Sequence, residues 1–312
     1  VGDTETLAKV PNLRQGSNLE DSVWIKIISF VVPLIIVIIG GLLVYGSLRW
    51  RNLTRSQVAQ LEASSVAPRV LTYSEAELEG LPDPVKRYFR AVLPDGQPIV
   101  TRVRLTQDGE FLMREAEDGW RPFTATQDVT TRPPGFLWDA RVKMAPGLSA
   151  YVHDAYIAGT GMLHGEILAL IPVVDYAGTP EAAEGELLRY LAEAAWFPTA
   201  LLPSQGVQWA AIDDSNARAT LTDGKTTVSL DFRFTADGEI IGAFAASRPR
   251  EVNGDVHPTP WVCSYADYVE RDGMRIPTRG EVEWRLEDRR LPYWRGRVLE
   301  VTYEYARPAG SQ

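Results

Sequence analysis

Hydrophobic and polar positions divide this chain into two regimes, a continuous apolar run near the N-terminus and a long region of alternation after it. Residues 27–48 read IISFVVPLIIVIIGGLLVYGSL, 22 positions without a charge, fifteen of them Ile, Leu, Val or Phe. As a helix this run is roughly 33 Å long and matches a bilayer core of about 30 Å. Trp24 and Trp50 bracket it where indole rings favour the headgroup layer, and Lys26, Arg49 and Arg51 close its two ends. A cleaved signal peptide has a basic start and an apolar core of about 7–15 residues. Here the polar leader, 1–26, is mildly acidic and the run is longer, so the expectation is one transmembrane helix at 27–48. Pro33 and the Gly40-Gly41 pair would let that helix bend and let another approach closely.

After a Gln/Ala/Ser-containing linker, placed at 49–73, the pattern changes. Ser74-Glu75-Ala76-Glu77 has capping-box form and Asp83-Pro84 starts a short helix, whose Val85, Tyr88, Phe89 and Val92 have the i, i+3, i+4, i+7 spacing of one face. Beyond it the dominant period is two. Ile99, Thr101, Val103 and Leu105 form one buried face, as do Val228, Leu230, Phe232 and Phe234, then Val282, Trp284 and Leu286, then Leu299, Val301, Tyr303 and Tyr305. Asp-Gly or Asn-Gly pairs at 95–96, 108–109, 118–119, 223–224, 237–238, 253–254 and 272–273 punctuate these runs, and several are expected as tight turns. Thr179-Pro180 opens a helix over 180–196 with Leu187, Leu188 and Leu191 inward. The apolar run 167–174 fits a buried strand or a second short helix. The expected fold is a single N-terminal transmembrane helix plus a mainly antiparallel β (α+β) domain over 74–306, a curved sheet or half-barrel packed on one or two helices, with a tail at 307–312.

Charge narrows the partners. Of the net −9, the first 26 residues carry −1 and Arg49, Arg51 and Arg55 add +3, which leaves −11 on the remainder. An acidic domain without a basic, aromatic-interleaved stripe repels phosphate backbones, so nucleic acid is not an expected partner. The three arginines packed into RWRNLTR favour the cytoplasmic over the periplasmic side for the large domain, in a bacterial inner membrane. The single cysteine, Cys263, rules out an intrachain disulfide and any Cys-pair metal site.

Catalytic signals are sparse. His164-Gly165-Glu166 has the H-x-E form of a zinc deaminase half-motif, but its P-C-x-x-C partner needs two cysteines. His153 and Asp154 are adjacent and would point to opposite faces of a strand, so His153 is expected as a surface or hydrogen-bonded strand residue. Gly159-Thr160-Gly161 followed by Gly165 lacks G-x-G-x-x-G spacing and fits a turn. Asp139, Asp154, Asp175, Asp213 and Asp214 are expected as solvated carboxylates. No cofactor, metal or catalytic residue is assigned. The aromatic segments containing Trp138, Trp196-Phe197, Trp261 and Tyr293-Trp294 have two readings, core plugs at strand corners or the lining of an apolar cleft or interface.

The segments LPDPVKRYFRAVLP (81–94), PPGFLWDARVKMAPGL (133–148), GELLRYLAEAAWFPTALLP (185–203), PTPWVCSYADYVERDGMRIPTRGEVEW (258–284) and LPYWRGRVLEVTYE (291–304) resemble a widespread bacterial family of unknown function, over about 75–305. The resemblance implies no reaction. The order of strands and helices is also similar to the half-barrel of lipoprotein carriers and of periplasmic regulators that share their fold, which implies a fold and not a function. The expected function is therefore that of a membrane-anchored, non-catalytic accessory or scaffold subunit. It would dock through residues 1–50 and the β domain on other subunits of a larger membrane complex, with photosynthetic and respiratory assemblies as candidates, and would contact the lipid bilayer. A lipid or hydrophobic-ligand binder is the alternative, and an enzyme of unrecognised type the third.

Overall fold

The computed structural model describes residues 17–114, 119–252 and 254–307. Helix α1 runs unbroken over Ser17–Ser64, 48 residues with Pro33 inside it, and is about 72 Å long. By length and composition it is able to cross a membrane, and residues 27–45 of its apolar segment are exposed among the described residues. Residues 1–16 of the expected leader and 308–312 of the expected tail lie outside the described residues. The segment 49–64, expected as linker, is instead helical. Its inward positions, Trp50, Thr54, Gln57, Val58 and Leu61, repeat as i, i+4, i+7, i+8, i+11, the stripe of a helix that packs on something. What it packs on is the sheet.

That sheet has thirteen antiparallel strands. In chain order they are β1 Val100–Leu112, β2 Trp120–Thr130, β3 Gly135–Ala145, β4 Leu148–Ile157, β5 Thr160–Ile167, β6 Ile171–Ala177, β7 Gln208–Ala211, β8 Asn216–Asp223, β9 Thr226–Phe234, β10 Ile240–Val252, β11 Asp255–Arg271, β12 Met274–Arg285 and β13 Arg290–Tyr305. They are ordered β6-β5-β4-β3-β2-β1-β13-β12-β11-β10-β9-β8-β7, an open, curved half-barrel with β6 and β7 at its edges. Helix α2, Asp83–Val92, buries Val85, Tyr88, Phe89 and Val92, the four residues its spacing selects. Helix α3, Pro180–Glu193, starts where Thr179 accepts a hydrogen bond from the Ala182 amide at 3.0 Å. It lies inside the curve with the short helical turns that follow it, and buries Leu187, Leu188, Leu191, Phe197, Leu201 and Leu202 in one continuous core with both halves of the sheet. Helix α1 covers the outer face of β2, β3 and β4.

Three local expectations change. Leu299 is half exposed, not inward, because the β1–β13 register slips between Thr106 and Gln107; Glu300 pairs with Thr106 and Val298 with Gln107, so Leu299 is the extra residue of a bulge. The run 167–174 is neither a buried strand nor a helix: it is a hairpin turn followed by edge strand β6, with Ile171 and Val173 exposed. Asp108-Gly109 is not a turn but the middle of β1, whereas Gly96, Gly224, Gly238, Gly254 and Gly273 do take the positive φ of turns. Asp118 and Asn253, the first members of two further pairs, lie outside the described residues.

Gly109 pairs with Gly296, which pairs with Gly280. This glycine row lets the Trp294 ring lie against the sheet from inside, since a Cβ on Gly296 would sit 2.7 Å from that ring. A Cβ on Gly109 would sit 2.1 Å from the Arg295 carbonyl oxygen, a backbone atom that cannot move alone. Gly109→Ala is therefore expected to destabilise the domain by about 3 kcal/mol through forced separation of β1 and β13, read as a lower denaturant midpoint of the full chain in detergent.

Candidate functional site

The most elaborate polar arrangement lies where α1 meets the outer face of the sheet. Asp139 on β3, His153 on β4 and His164 on β5 stand opposite one another in register, and Asp175 on β6 extends the row. Glu166 shares the outer face of β5 with His164. Onto this row α1 lays Arg49, Trp50 and Thr54. The Trp50 ring stacks on His153 at 4.0 Å between centroids and donates its indole N–H to Asp139 Oδ1 at 2.9 Å. Thr54 Oγ1 lies 3.1 Å from Asp139 Oδ2 and 2.8 Å from His153 Nε2. Arg49 pairs with Glu166 and also donates to the Ala169 carbonyl at 3.0 Å. Further along, Leu61 fills a small apolar layer with Leu137, Ala155 and Ile157. Leucine packing thus holds one end of the extension, and hydrogen bonds and ion pairs hold the other.

Burial sets the protonation states here. His153 is 0% exposed, and desolvation, with repulsion from His164, pulls its pKa from 6.5 to about 3. The ring is therefore neutral at physiological pH. Its Nδ1 has no hydrogen-bond partner, so the proton sits on Nε2: an orphaned acceptor costs less than an orphaned N–H. Nε2–H then donates to Thr54 Oγ1, and the Thr54 hydroxyl donates to Asp139. Burial raises the Asp139 pKa despite the hydrogen bonds from Trp50 and Thr54. At Glu166 burial also pushes upward, but hydrogen bonds from Arg49 and His164 win and hold the carboxyl below its ordinary range. Among the described residues no cluster of three His, Cys, Asp or Glu side chains is arranged to hold a metal ion.

A second cluster fixes α3 inside the curve. Arg189 donates to Asp154 at 2.5 Å and to Glu193 at 2.7 Å, with its guanidinium over Phe136 and Trp138. Arg248 on β10 donates to the Gly185 carbonyl at 3.1 Å and to Glu186 at 3.3 Å, over Trp261 and Trp284. Burial, and then the nearby Asp154, hold the Glu186 carboxyl well above the usual carboxylate range. Its Oε2 and Asp154 Oδ1 have no N–H or O–H donor, so the proton retained on Glu186 is the one that serves the pair. His153 and Asp154 do point to opposite faces, one to α1 and the other to α3.

A shallow trough of about 830 Å³ crosses the outer face beyond α1, over the glycine row. Asp108 pairs with Arg297 at 2.9 Å and Glu110 with Arg295 at 2.8 Å across it, and Lys143, Arg279 and Glu281 also line it.

Residues 79–303 match a family of unknown function, DUF6920. The chain belongs to that family. The match runs from just before α2 to two residues short of the end of β13, and α1 lies outside the matched range. No curated protein matches the sequence. Among solved structures, a LolA superfamily protein from Nitrosomonas europaea is similar at 11% identity, over 72% of this chain and 92% of that chain, with a TM-score of 0.31.

The structure separates the residues singled out from sequence. Trp24, Lys26 and Arg51 are exposed on α1, but Trp50 is only 3% exposed because it stacks on the DUF6920 domain. Gly40 and Gly41 have open space around them, and Pro33 lies in the same uncovered segment. Trp138, Trp196, Phe197 and Trp261 are buried core, and the partly buried Tyr293 and Trp294 pack against that core. Tyr293 accepts the Trp261 indole N–H at 2.9 Å, and Trp138 donates to Gln107 at 2.8 Å. Asp139 and Asp154, expected as solvated, are structural acceptors.

Two outcomes test the junction. Trp50→Ala is expected to weaken it by about 3–5 kcal/mol, read as faster amide exchange along 49–64 with the strands unchanged. The second concerns pH. The His153 pKa is depressed on folding, so its contribution is complete above pH 6.5 and is lost as pH falls from 6.5 towards 3. About 2 kcal/mol should go between pH 7 and 5. Glu166 acts with the same sign only below 4.5, while the raised Asp139 and Glu186 carboxyls act with the opposite sign in wild type and variant alike. The stability of the wild type relative to His153→Gln, which keeps a donor near Thr54 and does not titrate, should therefore be the quantity that falls between pH 7 and 5, read from paired denaturant midpoints at each pH.

Proposed function

We propose that this protein is a single-pass, membrane-anchored, non-catalytic accessory subunit that presents its half-barrel at a fixed height and rotation to other subunits of a membrane complex. The observation that carries this reading is the continuity of α1 from its apolar segment into the clamp formed by Arg49, Trp50, Thr54 and Leu61. A tether needs no such clamp. Fixing a domain rigidly to its stalk gives up orientational freedom and is useful when one face must meet a neighbour in the same bilayer. Two surfaces suit that role: the Gly40-Gly41 stretch of α1, where small residues let a second helix come close, and the ion-paired trough.

A hydrophobic ligand held in the curve of the sheet is the competing reading. It requires α3 to leave, because α3 and the turns after it fill that space with Leu187, Leu191, Phe197 and Leu202.

Purification from the source membrane in a mild detergent is expected to yield a stoichiometric assembly with at least one other membrane polypeptide. A monodisperse monomer carrying no other chain overturns the proposal. Gly41→Leu, which places bulk in open space, is expected to lower recovery of the partner at least tenfold while leaving the unfolding midpoint of the isolated chain unchanged.

A further inference from the structure

The chain runs along α1 from Gly46, which lies against Ala169 and Leu170 in the β5–β6 turn, to Leu61, which lies against Gly135 at the opposite end of the strands. One end of the half-barrel is therefore level with the end of the apolar segment. Gly46 is two residues inside the uncharged run that closes at Leu48, about 3 Å by helical rise. The turn packed on it sits at that same depth.

The chemistry of the hairpins at this end is unusual for turns in water. The β5–β6 connection is Leu168-Ala169-Leu170, closed by the Leu170 amide donating to the Ile167 carbonyl at 3.1 Å. Leu168 and Ala169 take φ of 57° and 56°, a left-handed conformation that side chains with a Cβ adopt at a cost. Other positive-φ turns of the sheet include a glycine, as in Ala158-Gly159, Gly224, Gly238 and Asp272-Gly273. Here that cost is accepted with apolar residues in place. Beyond the turn, Ile171 and Val173 are each 59% exposed, with exposed Pro172 between them. The neighbouring β3–β4 connection, Met144-Ala145-Pro146-Gly147-Leu148, is apolar as well and exposes Leu148, and the Leu168 amide donates to the Ser149 carbonyl at 2.9 Å, joining the two tips. Just behind them Arg141 and Lys143 are exposed on the outer face of β3. The β12–β13 tip, at the same end but away from α1, reads Glu287-Asp288-Arg289-Arg290. Apolar character is thus concentrated in the two hairpins beside the helix.

We propose that these two tips are a membrane foot: Leu148, Leu170, Ile171 and Val173 enter the headgroup–acyl boundary of the bilayer that α1 spans, and Arg141 and Lys143 lie against anionic headgroups. The inference rests on the membrane-anchored reading of α1. It adds that the domain stands in the interface and not above it, which fixes its tilt by two contacts, the helix and the foot. Apolar side chains flanked by cations are the composition of interfacial segments, and juxtamembrane cations favour anionic leaflets.

The test uses the full chain in nanodiscs of phosphatidylcholine, with and without phosphatidylglycerol. Cys263 is buried, so a cysteine introduced as Ile171→Cys takes an environment-sensitive fluorophore selectively, and Glu79→Cys at the far end is the control. At Ile171→Cys a blue-shifted emission is expected, with quenching by shallow spin-labelled lipid at least threefold that at Glu79→Cys and greater in the anionic discs. Water-like emission at both sites, with the protein still retained in membranes after alkaline carbonate extraction, overturns the foot and leaves the anchor intact. A blue shift in native membranes that is absent from nanodiscs assigns the tips to a protein partner and also overturns it. Release by carbonate overturns the anchor and the foot together.

Discussion

Strands β3, β4 and β5 carry on their outer face an apolar patch at one end and a row of titratable side chains beside it, and the patch requires a second layer outside the half-barrel as well as the one inside. Leu137, Ala155 and Ile157 face outward and would lie in water but for Leu61 of α1. Burying such side chains is favourable by roughly 1.5–3 kcal/mol apiece, and α1 is the element that supplies the cover. This requirement makes the stalk part of the fold. It explains why α1 does not stop where its apolar segment stops, why Trp50 turns towards the sheet, and why a row of titratable residues that would otherwise be solvated becomes an interior.

Once that row is covered, its polar atoms have to be satisfied, and the means differ on the two faces. Outside, Asp139 accepts from two α1 side chains while His153 avoids charge altogether. Inside, Arg189 stays charged between the Asp154 and Glu193 carboxylates and two aromatic rings, and Arg248 stays charged between the Gly185 carbonyl, the protonated Glu186 and two further rings. Buried pairs of this kind add little net stability over well-packed apolar groups, but breaking one by removing a partner costs several kcal/mol. They therefore specify position more than they stabilise: α3 has one seat in the curve and α1 has one seat on its back.

Much of this fold was legible from periodicity, because a strand with one wet face writes its burial into the sequence. Val228, Leu230, Phe232 and Phe234 are inward as their alternation requires, and α2 buries the four residues its spacing selects. Leu299 failed because a bulge shifts phase by one residue, and nothing local marks where that slip falls. The extension of α1 carries a legible signal, the helical spacing of the stripe from Trp50 to Leu61, but a polar, Gln- and Ser-containing composition masks it. The junction row lies beyond such reasoning. His153, His164 and Asp139 come from three strands, and Thr54 from a helix about a hundred residues away in sequence, so their meeting depends on strand register and on which face α1 covers. The Asp-Gly pair at 108–109 shows the converse limit, since a glycine needed for close backbone approach reads the same as one needed for a turn.

Packing also bears on where recognition can occur. A ligand inside the curve would have to displace α3, leaving Asp154 without Arg189 and the buried Arg248 without Gly185 and Glu186, and exposing Phe197 and Leu202. Together those losses are of the order of the whole stability margin of a domain. The outer surfaces carry no such penalty. The trough keeps its Asp108–Arg297 and Glu110–Arg295 pairs whether or not it is covered, and covering it exchanges water for other polar groups. The uncovered face of α1 is apolar and already suited to a bilayer or to another helix. With both seats of the sheet occupied, the surfaces that can be engaged without disturbing α1 or α3 are the outer trough and the exposed apolar face of α1.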